Sequence, residues 1–295
     1  MSEQPQISPP RTRHPRQRSR RPRMRSRLVL LVTSLLAVLA LTTAPAASGA
    51  ARAYPVHTGI VSTTFWVGEI FDANLADGSQ VCSTYDSQWA YHWSGVRTTT
   101  VPASASGCAG SYQGGCDGVS NAARTRCDTE ARTASNSYFP SSGVVPRENP
   151  FYLDLPYDDL NDAKAFAHRC SVVPWANDPG YAGHCNDPGF SYLKNRWVEI
   201  AGPGGKVCYG QVEDAGPSHG NLYHDAAYVF GSTNAKPVQR QFNRAGMDVS
   251  PALNGCLGFA ELNGESDHVS WQFVDDAQVP TGPWTKVVTA SGVTQ

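Results

Sequence analysis

The chain has 295 residues with 24 basic and 25 acidic side chains, a near balance that hides an uneven distribution. Ten of the basic residues and one of the acidic lie in the first 53, leaving 14 against 24 beyond them and a net charge near −10 with neutral histidine. Such a surface speaks against nucleic acid and anionic membranes as partners, and suits a neutral or cationic substrate or simple solubility.

Nine arginines fall between Arg11 and Arg27, an apolar run follows from Leu28 to Leu41, and small residues fill Thr42–Ala53. That order is the order of a secretory signal, and the run is too short to cross a bilayer comfortably. Residues 1–53 are therefore expected to be removed, with Ala51-Arg52-Ala53 as the cleavage signature and Ala44-Pro45-Ala46 competing. An uncleaved anchor is the rival. Ser19-Arg20-Arg21 suggests a twin-arginine signal, but Pro22-Arg23 interrupts its apolar continuation, so it reads as ordinary positive charge. The expectation is a secreted, extracellular protein, off the membrane once the signal is cleaved.

Residues 54–295 suit a single domain with a sizeable core, since all seven tryptophans lie there. Gly59–Val67 is rich in β-branched and aromatic residues and predicts a strand. Residues 94–146 are rich in Ser, Gly, Ala and Thr, carry three cysteines, and read as a disulfide-pinned insertion. Asp158–Cys170 predicts a helix, acidic at its start and basic at its end. Asn195–Ile200 alternates, Gly202-Pro203-Gly204-Gly205 turns the chain, and Lys206–Val212 returns it, which predicts a hairpin. Pro251–Leu257 predicts a short helix capped by Ser250, and Val269–Val274 a further strand. No internal repeat is visible.

All eight cysteines (82, 108, 116, 127, 170, 185, 208 and 256) lie beyond the signal. An even count in an exported chain reads as up to four disulfides, and spacing alone does not choose among the possible connectivities. Pairing sequence neighbours gives 82–108, 116–127, 170–185 and 208–256. Zinc is disfavoured because no C-x-x-C occurs. Asp72–Gly78 resembles a calcium loop but has its glycine one place late and no glutamate at the twelfth position. No metal or cofactor is expected.

Two aspartate motifs stand out: Gln211-Val212-Glu213-Asp214-Ala215-Gly216-Pro217 and Gly246-Met247-Asp248-Val249-Ser250-Pro251. Each puts a carboxylate where an apolar run gives way to turn residues, where side chains become reachable. Two positioned carboxylates are the minimum equipment for acid/base chemistry on a glycan.

These motifs, with the strand at Ser62–Val67 and Leu257-Gly258, resemble double-psi β-barrel proteins: rare-lipoprotein-A-like domains first, expansins and family-45 glycoside hydrolases more distantly. The resemblance covers roughly 58–72 and 190–285. It implies a mainly β fold, a six-stranded double-psi β-barrel with long disulfide-pinned insertions at about 73–189 and one or two short helices. Asp214 matches the lipoprotein family's Asp-Arg-Gly-Pro motif, and Asp248 matches its Ile-Asp-Leu-Ser and the His-Phe-Asp of expansins and family-45 enzymes. Glu69 stands where family-45 enzymes keep a second Asp. The chain departs from the family at Asn149–Pro156, which lacks a His before its Leu-Pro, and in having no lipid-bearing cysteine after the signal. The second domain of expansins is not expected after residue 285.

On this reading Asp248 is the general acid and Asp214, or Glu69, the base or charge stabiliser. Each aspartate has an ordinary alternative role in shaping its own turn. His224 is a further acid/base candidate in the polar loop Ser218–Asp225, where Tyr223 and Asp225 are candidates to contact substrate. Trp66 and the cluster Trp89, Tyr91 and Trp93 are candidate sugar platforms, with core packing as their ordinary role. Ser218 beside His219 does not make a serine hydrolase, since no Gly-x-Ser-x-Gly elbow exists. The expected partner is a polysaccharide or peptidoglycan, cleaved by hydrolysis or lytic transglycosylation, and the protein is expected to be a monomer. The alternatives are a non-catalytic, expansin-like wall-binding or wall-loosening module, and a secreted protease inhibitor working through 94–146.

Overall fold

A computed structural model describes residues 52–69, 80–103, 107–122, 126–141, 143–218, 222–262, 264 and 266–295. The signal as far as Ala51 and the loop at Asp72–Gly78 lie outside them. In chain order the elements are β1 (His57–Thr64), α1 (Trp89–Ser94), β2 (Val119–Ser120), β3 (Cys127–Asp128), β4 (Tyr152–Leu155), α2 (Ala163–Val172), β5 (Trp197–Ala201), β6 (Val207–Ala215), α3 (Ala226–Val229), β7 (Met247–Val249), α4 (Pro251–Leu257) and β8 (His268–Val274). Six strands close into a barrel in the order β1-β7-β4-β6-β5-β8, while β2 and β3 form a separate ribbon. The pairs β1–β7 and β4–β6 are parallel and the other four antiparallel.

Exchanging β1, β4 and β5 with β6, β7 and β8 leaves every neighbour and every direction in that order unchanged. The barrel thus has a topological two-fold that the sequence does not display. Its axis passes between β4 and β7, where Asp154 pairs directly with Asp248. This closed, mixed, six-stranded barrel is compatible with a double-psi fold. It also contains a strand, β4, from the stretch at 73–189 that the sequence assigned to insertions.

Local sequence explains most boundaries. The β5–β6 hairpin turns through Gly202–Gly205, with Gly205 at a positive φ of 77° that glycine adopts without strain. The Ser250 hydroxyl accepts the Leu253 N–H at 3.2 Å and Pro251 opens α4, as predicted. The helix predicted from Asp158 begins later, at Ala163. The Asp158 carboxylate accepts the Leu160 and Asn161 amides and turns the chain first, and Asp162 then caps α2 through Lys164 and Ala165.

Barrel strands alternate between two environments. Ile60, Leu153, Leu155, Val198, Ile200, Val212, Met247, Val249, Trp271 and Phe273 fill one buried core together with Leu253 and Leu257 of α4. A second core outside the barrel joins Phe65, Trp66, Val67, Val81, Trp89, Trp93 and Val101, with Tyr152 of β4 as its link to the barrel. All four disulfides join sequence neighbours: Cys82–Cys108, Cys116–Cys127, Cys170–Cys185 and Cys208–Cys256. The first two pin the second core, the third closes the loop after α2, and the last ties β6 to α4. Four such bridges are a pattern of oxidising compartments. Among the described residues no helix is long and apolar enough to cross a membrane.

Candidate active site

β4 supplies the centre of the site. Leu153 and Leu155 point into the barrel, so period-two alternation turns Asp154 to the other face with Tyr152. Asp154 pairs with Asp248 on one side and with Asp214 on the other. Directly opposed residues share a face, so three carboxylates from three adjacent strands form a row, Asp248–Asp154–Asp214.

A bulge brings Asp214 into that row. Between Leu153 and Asp154 the partner on β6 advances from Val212 to Asp214, leaving Glu213 as the extra residue. Without the bulge, Glu213 would face Asp154 and Asp214 would turn toward the core; re-aiming a side chain in this way is a common use of bulges. Glu213 is instead buried in an ion pair with Lys194 at 2.7 Å. Two consecutive carboxylates thus take different fates, one neutralised and one placed in the row.

Asp154 is only 4% exposed and Asp214 8%. One oxygen of Asp154 accepts the Asp248 N–H at 3.0 Å. Burial, reinforced by the charges of Asp248 and Asp214, holds the Asp154 carboxyl well above the usual range. Burial also pushes Asp214 up to about 7, against the opposing pull of the Thr84 and Ala215 amides, each 2.8 Å from its Oδ1. Tyr223 is raised to about 12 by burial and then by Asp154, Asp214, Asp158 and Asp248, which marks it as a neighbour of the whole row. Glu69 acts on Asp154 with the same sign. Gly216 approaches the row closely: a Cβ at that position would lie 2.6 Å from Asp154 Oδ2 and press on its carboxyl.

The row adjoins a groove of about 400 Å³ lined by Asp158, Asn161, Asp162, Ala163, Lys164, Tyr223 and His224. Thr84 connects the two, its amide on Asp214 and its hydroxyl 3.3 Å from Asp158. His224 Nδ1 lies 2.9 Å from Asp162 Oδ2, so this histidine belongs to the groove. Among the described residues no three His, Cys, Asp or Glu side chains are arranged to hold a metal ion.

Of the residues singled out from sequence, Asp214, Asp248, Glu69 and Tyr223 are brought together, and His224 lies beside them. Asp225 is buried and caps α3, accepting the Tyr228 and Val238 amides, which is a structural task. Trp66, Trp89 and Trp93 are core residues at 6%, 1% and 0% exposure, the packing role held open for them above. Tyr91 is half-buried against Tyr112, with Arg97 over both rings. Sequence reasoning missed Asp154 and Asp158. The available signal was Tyr152-Leu153-Asp154-Leu155-Pro156, a lone acid within a short apolar strand stopped by proline.

The fold and site define a class, a disulfide-bonded mixed β-barrel carrying a row of carboxylates on one face. No family model and no curated protein sequence matches the chain.

Proposed function

We propose that this chain is a secreted double-psi β-barrel of the rare-lipoprotein-A-like kind that cleaves glycosidic bonds of a cell-wall polysaccharide. The observation that carries the reading is the pair Asp214 and Asp248 on one face, flanking Asp154, beside an open polar groove. Asp248, half-buried between Met247 and Val249, gives its proton to the leaving glycosidic oxygen as the C1–O bond breaks. Asp214, whose carboxyl burial raises to about 7, takes a proton from the water whose oxygen bonds to C1. In the transglycosylase variant a hydroxyl of the same sugar replaces that water.

The two strands that carry these acids have β4 between them, so their backbones are about 10 Å apart. That favours inversion, which works with carboxyls roughly 6.5–9.5 Å apart, over a covalent intermediate at about 5 Å. Tyr223, Asp158 and the His224–Asp162 pair offer donors and acceptors to the sugar hydroxyls.

The test uses residues 54–295 and the Asp248→Asn variant on peptidoglycan, cellulose, chitin, chitosan and β-glucans, with products read by mass spectrometry. Soluble oligosaccharides from the wild type, reduced by roughly 100-fold or more in the variant, are expected. Products lighter by one water identify the transglycosylase. Retention of both proteins on one insoluble glycan without any product would replace this reading with a binding module.

A further inference from the structure

We infer that the turn at 241–245, with Arg240 before it, is a docking surface for an acidic polysaccharide, which Arg240, Phe242 and Arg244 hold together. That the polymer is a polysaccharide rests on the glycan-cleaving reading above. The surface goes beyond that reading, since it shares no residue with the row or the groove.

Charge sets this segment apart. Between Asp225 and Asp248 the chain has no acidic residue and three cations, Lys236, Arg240 and Arg244, in a domain whose net charge is near −10. Lys236 is engaged, donating to the Thr58 and Gly59 carbonyls. Arg240 and Arg244 are exposed, and among the described residues neither guanidinium has an ion-pair or hydrogen-bond partner.

The backbone presents them in an uncommon way. Phe242, Asn243 and Arg244 have φ of 49°, 52° and 63°, and none is glycine. L-residues avoid this left-handed region, so three in succession are kept there by their surroundings. The Arg244 and Ala245 amides donate to the Gln241 and Phe242 carbonyls at 2.7 and 3.0 Å, and the buried Gln239 side chain donates to the Ala245 carbonyl. The Gly246 amide then ties the turn to Val61 of β1 at 2.9 Å. Phe242 is left 45% exposed, and it is the only exposed aromatic ring among the described residues.

The chemistry selects the partner. A guanidinium fork matches the two oxygens of a carboxylate, and a ring face offers apolar area to the C–H face of a sugar. Arginine, ring and arginine at alternate positions therefore fit a chain of sugars bearing carboxylates. A rigid duplex or an acidic protein would also meet the rest of the surface, which is negative; one flexible chain touches the turn alone. Arg244 precedes Asp248 by four residues, so their Cα atoms are at most about 14 Å apart. A polymer docked on the turn has further rings close to the row.

Biolayer interferometry of residues 54–295 on immobilised polygalacturonate, dextran and polyglutamate tests this. The wild type should bind polygalacturonate and not dextran. Arg240→Gln with Arg244→Gln should weaken that binding roughly tenfold or more, and Phe242→Ala about fivefold, each with an unchanged Tm. Polyglutamate, which offers charge without sugar rings, should bind at least about fivefold more weakly than polygalacturonate. No binding to polygalacturonate, equal binding by the double variant, or equal binding to polyglutamate or dextran overturns the inference. Loss of polymer from the sensor reports cleavage and is read separately. Binding as expected with no glycan cleaved anywhere defeats the function proposed above and leaves this surface in place. Cleavage of a neutral glycan without retention by the acidic one defeats this surface alone.

Discussion

Buried charge is handled in two opposite ways in this molecule. On the supporting side the deeply buried cations among the described residues have carboxylate or carbonyl partners. Arg132 bonds Asp117 at 2.6 Å with both side chains fully buried, and Lys194 bonds Glu213. Arg169 donates to five backbone carbonyls, of Asp159, His184, Cys185, Asp187 and Phe190, and so organises the loop after α2. In the row on β7, β4 and β6 the strongest neighbours of a buried acid are other acids. Pairing makes a charge structural. Leaving acids together, at a cost in stability, is characteristic of sites that need protons near neutral pH.

The largest test of this contrast breaks a pair. Arg132→Ala strands Asp117, whose other partner is the Tyr152 hydroxyl at 2.8 Å, and should cost about 3–5 kcal/mol in denaturant melts. The row should respond with the opposite sign. Asp214→Asn should stabilise the fold by about 1–3 kcal/mol at pH 8 and by nearly nothing at pH 4, where the wild-type carboxyl is already protonated. A loss of stability at pH 8 would mean that the row is structural like the pairs.

The wild type should show the same effect without mutation. Asp214 and Glu213 are raised to about 7, and Asp159 to about 6, all by burial. A raised carboxyl contributes fully below its unfolded pKa, and that contribution is lost as pH climbs to the folded value. Tm should therefore fall steadily between pH 4 and pH 7.5. A flat profile would contradict the burial assigned to these groups. The smallest effect belongs to the partly exposed His224–Asp162 pair, where His224→Gln should cost less than about 1 kcal/mol.

The parts of the fold written in local chemistry were legible in the sequence. The glycine turn of the hairpin, the Ser250-Pro251 start of α4 and the neighbour pairing of cysteines are each decided within a few tens of residues. Both Asp214 and Asp248 were visible because turn residues follow them. Asp154 was hidden because its strand is four residues long, lies far from the other barrel strands, and has a meaning only through its partners on β6 and β7. The two-fold was hidden for a related reason: the halves share connectivity, not residues. The tryptophans were ambiguous because a platform and a core use the same side chains, and only burial separates them.

The bulge at Glu213 also bears on how this stretch can change over evolutionary time. It absorbs one surplus residue while everything after it stays in frame, so the strand would run regularly, with Asp214 still opposite Asp154, if Glu213 were deleted. Lys194 would then have lost its ion-pair partner. Glu213 and Lys194 should accordingly be gained or lost together among descendants of a common ancestor. An alignment through this point would need a one-residue gap in chains that lack the lysine, with the aspartate column unbroken on either side.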